Sequence, residues 1–595
     1  MIRTSHIMNK AKSSWFVYTK KADFRAIADR FGIDQVTARV LRNRDICTEE
    51  EIDYFLHAGT DQLYDEMLLP DMEKAARILM QAVREHKRIR IVGDYDIDGV
   101  CATYILLKGL AAVGASVDYR IPDRIRDGYG INMSIVREAI DAGVDVLLTC
   151  DNGIAAVDEL KEAKDHGLTV IVTDHHNVRR DEAGGEILPP ADAVVDAKRE
   201  ASRYPHEDIC GAVTAWKLIR AVFRMAGLPD DSWLTYIDFA AIATIGDIMA
   251  LKGENRIIVR EGLRIMNGGR QLAGHDGGQP GYGSACMGLR TLIHEFHLDD
   301  KQISTYHIGF IIGPAINAGG RLETAESALR LFLTEDPEEA VSLARHLISL
   351  NEERKAMTET GVEQGCAIVE QSMLEDKVLI VFIDGLHESL AGIVAGRLKE
   401  YYARPAIVIT RGQEGLKGSG RSIEAYNMFE GLCGVESFLT RFGGHPMAAG
   451  LSLEESQLEP FRKAINEQAG LEEKDFVHKV WIDAPMPIGY VTAKLIGELE
   501  HLAPFGQGFE RPVFAEKGLT VSDMRVLGKN RNVLKLRLRE ARGVQLDGII
   551  FGEADRMMEE IRGADSIDIL YYPKINEYNG RRTIQIEIKE YITRA

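Results

Sequence analysis

From Lys87 onward, short apolar, β-branched runs alternate with helical stretches, and this alternation constrains the fold more than any other feature of the chain. IRIVGD leads into CATYILLKGLAAVG and VDYRIP; a helical pattern near 134–142 follows, then VDVLLTCD, a further helical stretch, TVIVTDHH and AVVDA. Apolar strands separated by helices predict a parallel sheet covered on both faces, a doubly wound α/β domain, here over residues 81–335.

The remaining segments read differently. Residues 1–80 mix short helical patterns that carry no recognisable chemistry. Residues 337–372 lack proline after the first position and predict one long helix, so 336–372 is read as a connector. A second α/β pattern occupies 373–475: KVLIVFID, GIVAGRLKEYY and RPAIVIT, then two Gly-rich turns, KGSGRS and RFGGHPMAAG. Residues 476–595 hold five alternating runs, LTVSDMRVLG, NVLKLRLRE, VQLDGIIFG, SIDILYYPKINEY and RTIQIEIKEYI, with Asn579-Gly580 as a tight hairpin turn. Five short strands over that length predict a small β-barrel, an OB-fold. A chain of 595 residues exceeds what one core supports, in line with several domains.

Three clusters of ligand-type side chains fall at the ends of the apolar runs. IRIVG leads into Asp94, Asp96 and Asp98; VLLTC into Asp151-Asn152-Gly153; TVIVT into Asp174-His175-His176. The carboxyl edge of an open parallel sheet is where ligands bind, so the three clusters are expected to converge. Asp247, closing the apolar run AAIATIG, is a fourth candidate. A lone Asp at a strand end is an ordinary cap or turn former. Three carboxylates within five residues repel one another unless cations compensate, which favours a metal site. An extended Asp-x-Asp-x-Asp puts all three on one face. Two divalent ions roughly 4 Å apart are what phosphodiester hydrolysis uses. Carboxylates with imidazole and no thiolate point to Mn²⁺ or Mg²⁺.

At these residues the sequence closely resembles the DHH phosphoesterase superfamily, whose signature triplet is Asp174-His175-His176 here. VGDYDIDG, TCDNGI, TDHH and IGDIM match its successive motifs. IGPAINAGGR, HESLAGIVAGRL, GSGRS and GGHPMAAG resemble the RecJ-type single-strand DNA exonucleases and their DHHA1 domain, and LAPFGQGFERPVF resembles the lead-in to that family's OB domain. The resemblance implies metal roles for Asp94, Asp96, Asp98, Asp151, His175 and Asp247, with Asp151 bridging two ions and His176 at the scissile phosphate as contact or proton donor. It implies a metal-dependent 5′→3′ exonuclease that releases 5′-mononucleotides from single-stranded DNA in repair and recombination, beside a helicase and a single-strand-binding protein, and it suggests a monomer. Two departures stand out: Val213 in CGAVT, where the family often has Gly, and Ala315 in IGPAINA, where it often has Arg.

A single-strand exonuclease must hold the backbone with cations and the bases by stacking. Arg321 in NAGGR, Ser419 and Arg421 in GSGRS, and Arg124 in IPDRIRDGYG are the candidates for a 5′-phosphate pocket; an arginine in a Gly-rich turn also commonly clamps backbone carbonyls. His445 in GGHPMAAG is a further substrate candidate, and Tyr129 and Phe505 are candidate stacking residues. The net charge of −19 argues against a protein that coats nucleic acid, though not against a nuclease with local positive surface. Residues 521–595 carry 14 Lys and Arg against 12 Asp and Glu. No apolar run suits a bilayer, the N-terminus lacks a secretory pattern, and seven scattered cysteines form no CxxC pair. A reducing, cytoplasmic protein without a membrane partner is expected. Two other functions fit parts of the chain: a DHH phosphodiesterase on short oligoribonucleotides or cyclic dinucleotides, which are typically shorter proteins without a barrel, and an inactive DHH scaffold, which predicts eroded ligands.

Overall fold

The five apolar runs become five strands in the computed structural model, which describes residues 13–124, 126–268, 284–412, 415–578 and 580–594. They are Arg88–Val92, Ser116–Arg120, Val146–Cys150, Thr169–Thr173 and Ala193–Val195. The second of these lies at one edge, beside the first, and the others follow in chain order, every pairing parallel. Alternate residues face opposite sides of such a sheet. Ile89, Ile91, Leu148, Cys150, Ile171 and Val195 enter one core; Val92, Leu147, Val170, Val172 and Val194 enter the other. Both faces are therefore dry, as a doubly wound sheet requires. The helix Ile97–Ala112 is buried around nearly its whole circumference, so its sequence shows no polar stripe.

By its internal contacts the described chain forms two units. One comprises 44–351 with 497–511 and contains this sheet; the other comprises 13–43, 352–496 and 512–594. The long helix is Pro337–Ser372.

The second unit holds a five-stranded mixed sheet and a barrel. The mixed sheet pairs Leu379–Phe382 with Ala406–Arg411 in parallel, and the strands Leu416–Arg421, Ala448–Leu453 and Arg441–His445 continue it antiparallel. GSGR is thus the C-terminal part of the strand Leu416–Arg421, not a turn, and Ser422 follows it. The small residues pass under neighbours: a Cβ on Gly418 would lie 3.0 Å from the Leu451 side chain. GGHPMAAG is the hairpin between the last two strands, turning at Pro446-Met447.

Phe514–Leu527, Val533–Arg539, Gln545–Phe551, Ser566–Tyr578 and Arg581–Arg594 make the barrel. The first strand pairs with both the second and the fourth, which closes the sheet on itself in the manner of an OB-fold. The last two strands pair through Tyr578 and Arg581; the expected turn at Asn579-Gly580 begins at Asn579, which lies outside the described residues. Among the described residues no helix is long and apolar enough to cross a membrane.

Candidate metal centre

The strands Arg88–Val92, Val146–Cys150 and Thr169–Thr173 deliver their following residues to one edge of the sheet. The Asp94–Asp98 run is not extended throughout. Asp94 follows the strand; Asp96 is the N-cap of Ile97–Ala112, its side chain accepting from the N–H groups of Asp98 and Gly99; Asp98 lies in the first helical turn. Gly99 serves close packing: a Cβ there would sit 2.6 Å from the Asp94 nitrogen.

Asp98 is held from a distant part of the chain. Its Oδ2 accepts from Gly211 N at 2.7 Å and its Oδ1 from Ala212 N at 2.8 Å, at the N-terminus of the helix Gly211–Ala226. Such a terminus presents unpaired N–H groups and favours a carboxylate. Gly211 packs against Asp151, and a Cβ on it would lie 2.6 Å from the Asp151 Cβ. Val213, the departure in this segment, is fully buried in the first turn of the helix and leaves these contacts intact.

Asp151 is buried with φ of +62°, a left-handed conformation that Asp tolerates better than most residues. Its Oδ1 lies 3.1 Å from His175 Nε2, with Asp98 Oδ2 at 3.6 Å and Asp247 Oδ2 at 3.8 Å from the same nitrogen. Asp247 is the C-cap of the helix Ile237–Gly246. The ligand-type atoms form two triads that share no residue, Asp98/His175/Asp247 and Asp94/Asp96/Asp151, each within 4.8 Å; a third overlapping group joins Asp151, His175 and His176.

The electrostatics suit cations. Burial raises the pKa of Asp94 and Asp151 well above the usual carboxylate range, and neighbouring carboxylates raise them further. Asp96 moves the same way, and Asp247 rises to about 8 through burial and then Asp98 and Asp96. Buried carboxylates crowded in this way call for compensating positive charge, and divalent cations supply it with the oxygen and imidazole donors present. Burial alone lowers the His176 pKa, but its hydrogen bond to Asp174 and the surrounding carboxylates carry it to about 9.

Several functional roles escaped the sequence reading, although Asp174 and Tyr129 are named in it. Asp174 joins none of the ligand groups; it orients them, accepting from Ile154 N, His175 N and the His176 ring. Asn152 ties the strand ends, its amide donating to the carbonyls of Val92 and Cys150. Asn317 accepts from Ile97 N, which fixes the start of the Asp96-capped helix. Tyr129 donates to the Asp151 carbonyl and lies 3.1 Å from His176 Nε2, a site contact and not only a stacking surface. Asn152 and Asn317 were visible only as letters inside longer motifs.

Among the predicted substrate residues, Arg124 lies over the Tyr95 ring at 4.8 Å. Arg321 is in the helix Gly313–Leu322, so NAGGR is no phosphate-cradling turn. A Cβ on Gly320 would overlap the Tyr95 carbonyl oxygen, and glycine there serves helix packing. Ala315 is fully buried in the same helix. In the other unit, Arg421 Nη1 donates to Ser419 Oγ at 3.1 Å. Ala448 is the register partner of both Arg421 and His445, so those two flank it across three strands. The structure therefore gathers Ser419, Arg421 and His445 on one sheet, and Arg124 and Arg321 within the unit that holds the ligand groups.

Three family models match: the DHH family, N-terminal domain, over 88–244; the DHHA1 domain over 375–470; and the RecJ OB domain over 482–590. A single-stranded-DNA-specific exonuclease RecJ of Bacillus subtilis is 34 % identical over 588 residues, covering 98 % of this chain and 71 % of the relative. Its Haemophilus influenzae counterpart is 31 % identical over 577 residues, covering 93 % and 95 %. The chain belongs to the RecJ family. Within this family, the crystal structure of RecJ from Thermus thermophilus in complex with Mn²⁺ superposes with a TM-score of 0.81 at 29 % identity, over 98 % of this chain and 80 % of that one. The Mg²⁺ complex from the same organism gives 0.75 at 27 % identity, over 98 % and 78 %. RecJ-family membership thus spans all three matched regions.

Proposed function

We propose that this chain is a metal-dependent exonuclease that hydrolyses single-stranded DNA, and the observation that carries the reading is the pair of disjoint ligand triads at the sheet's carboxyl edge in a RecJ-family chain. Asp98, His175 and Asp247 would hold one Mn²⁺ or Mg²⁺, and Asp94, Asp96 and Asp151 would hold the other, with Asp151 the residue that family resemblance assigns to both. Ions there supply charge neutralisation for the phosphodiester and an acidified water. The chain's own groups do the rest. Asp174 fixes the His176 ring, and His176 faces the scissile phosphate as contact or proton donor; Tyr129 restrains the same ring. Asp98, gripped by two backbone N–H groups, is preorganised before any ligand arrives.

Polarity is the finer part of the proposal. Ser419, Arg421 and His445, with Arg124 and Arg321 in their own unit, are assigned to substrate contacts that favour a 5′-phosphorylated end, giving 5′→3′ release of 5′-mononucleotides. Family resemblance supports this, and supports a cytoplasmic monomer working beside a helicase and a single-strand-binding protein. The closed barrel favours long strands over dinucleotides, and the complete ligand set weighs against an inactive scaffold.

Incubation with Mn²⁺ and end-labelled single strand, duplex and dinucleotide tests the reading. Immediate release of a 5′ label from the single strand is expected; cleavage confined to the dinucleotide would overturn it. Asp151→Ala abolishes turnover at any Mn²⁺ concentration while single-strand binding persists.

A further inference from the structure

Asp98 and Asp247 belong to one triad, yet they reach it from distant parts of the chain. Asp98 is held by the N–H groups of Gly211 and Ala212. Its place beside Asp247 therefore depends on how the segment entering Gly211 lies against the segment around Asp247. Polar contacts join those two segments along their length. Nearest the ligands, Cys210 Sγ lies 3.8 Å from Thr244 Oγ1. The Asn255 side-chain amide donates to the Asp208 carbonyl at 2.6 Å and to the Ala250 carbonyl at 3.1 Å. Asp208 stands three residues before Gly211, and Ala250 three residues after Asp247. One amide thus bonds to both approaches. Glu254 makes the next tie. It accepts from the Tyr204 hydroxyl and, at 2.8 Å, from Nζ of Lys217 on the helix that Gly211 begins. Lys217 also donates to the Tyr64 carbonyl. Gly253 packs close to the same segment: a Cβ on it would lie 3.4 Å from Nδ1 of His206.

Lys217, Glu254 and Asn255 are wholly buried, and none of them belongs to a ligand group. A buried ion pair is a weak device for stability, because desolvation offsets most of the attraction and apolar residues of similar volume commonly do as well. What such contacts supply is fixed geometry: a hydrogen bond has a preferred length and direction, whereas apolar attraction is non-directional. A metal centre needs that precision, since ligand distances are set to within about 0.2 Å. We propose that Asn255 and Glu254 are positioning residues for the metal centre: they lock the segment that clamps Asp98 to the segment that bears Asp247, so that both carboxylates stand at His175. The proposal rests on the metal-dependent function above and deepens it, extending the support of the site to residues outside the ligand groups.

Two measurements on the full-length protein test it together: Mn²⁺ binding without DNA, followed by loss of the free-ion electron paramagnetic resonance signal, and turnover of a 5′-labelled single strand across a Mn²⁺ series. Asn255→Leu keeps the volume and removes the donors. It is expected to raise both the Mn²⁺ dissociation constant and the Mn²⁺ concentration for half-maximal turnover by about ten- to hundred-fold, with maximal turnover largely recovered at saturating Mn²⁺. A residue that only held the fold would behave differently: its loss would lower the melting temperature and the active fraction and leave half-saturation by Mn²⁺ unchanged. The double change Lys217→Met with Glu254→Leu separates the two roles further. It should melt close to the wild type and still require about ten-fold more Mn²⁺. Tyr204→Phe, which removes a single hydroxyl, stands in where a larger change prevents folding, and should raise the requirement by about five-fold, the worth of one hydrogen bond. Wild-type Mn²⁺ affinity and half-saturation in every variant that folds would overturn the positioning role while Mn²⁺-dependent cleavage stands. A wild-type protein that binds no Mn²⁺ and cuts no strand would sink this inference together with the function it rests on.

Discussion

Nδ1 of His176 lies 2.7 Å from Oδ1 of Asp174, and the same carboxylate accepts from the backbone N–H of His175 and His176. One buried aspartate thus sets the aim of the His176 imidazole and fixes the backbone of both histidines. Groups that orient ligands without joining them commonly cost ten- to hundred-fold when removed. Asp174→Asn keeps the shape but loses the anionic acceptor, and turnover is expected to fall by roughly that factor. Mn²⁺-dependent thermal stabilisation should survive, because the two disjoint triads are intact. A variant with wild-type turnover would show that the pair is only structural.

The crowded carboxylates make metal binding visible without activity. A ligand that binds only the folded state at a hundred times its dissociation constant stabilises by about 2.7 kcal/mol. Saturating Mn²⁺ should raise the melting temperature by several degrees, and EDTA should reverse the shift. Asp151→Ala and Asp247→Ala should blunt the rise. A melting temperature indifferent to Mn²⁺ in the wild type would count decisively against the two triads.

Arg421 donates to Ser419 Oγ on the sheet that also carries His445. If this arginine reads the strand end, Arg421→Ala should reduce the preference for a 5′-phosphate over a 5′-hydroxyl by about ten-fold, the scale of one charge-assisted hydrogen bond. Competition between the two labelled ends measures it directly. An unchanged ratio removes Arg421 from that role.

The legible parts of this protein were those with a local physical signature. Strands such as Val146–Cys150, buried on both faces, are unbroken apolar runs, and Asp94, Asp96 and Asp98 are too close together to be innocuous. What could not be read depended on the partner. Nothing near Asp98 announces that Gly211 and Ala212, more than a hundred residues later, hold its two oxygens. Gly320 looks like a phosphate turn until Tyr95 is placed against it, and Gly418 and Gly420 look like a turn until neighbouring side chains are seen to pack across them. Glycine marks close approach, but its sequence context does not say to what.

Asp238 provides a pH-dependent prediction away from the ligand groups. It is buried in the first turn of Ile237–Gly246, and burial lifts its pKa to about 6 despite hydrogen bonds from Ser284 and Phe239 N. Unfolded, it titrates near 3.9. Between those values the folded state holds a proton that the unfolded state has lost, so this group makes stability fall as pH rises from about 4 to about 6. The total is about 3 kcal/mol. Asp238→Asn removes that slope while retaining an oxygen for the Phe239 N–H. Denaturant melts at pH 4 and pH 7 should show the variant gaining on the wild type at the higher pH; a constant gap would mean that Asp238 titrates normally.

Gly211 is where the fold and the metal centre meet most tightly. Its N–H donates to Asp98, and its Cα faces Asp151 so closely that an added Cβ would lie 2.6 Å from the Asp151 Cβ and 2.8 Å from its Oδ1. Backbone and a buried carboxylate cannot both yield. Asp151 already sits at φ +62°, and displacing it moves a member of one triad, while displacing Gly211 releases the Asp98 oxygen in the other. Gly211→Ala should therefore damage both triads with a single methyl group, costing about 1–3 kcal/mol of stability as an overpacked site. It should lose the Mn²⁺-induced rise in melting temperature and nearly all turnover. Val213→Gly, two residues on and pointing into the core, provides the contrast: it should destabilise by a comparable amount through lost packing and helix propensity, yet keep the Mn²⁺ response. If both variants keep that response equally, the Gly211–Asp151 contact does not set the geometry of the site.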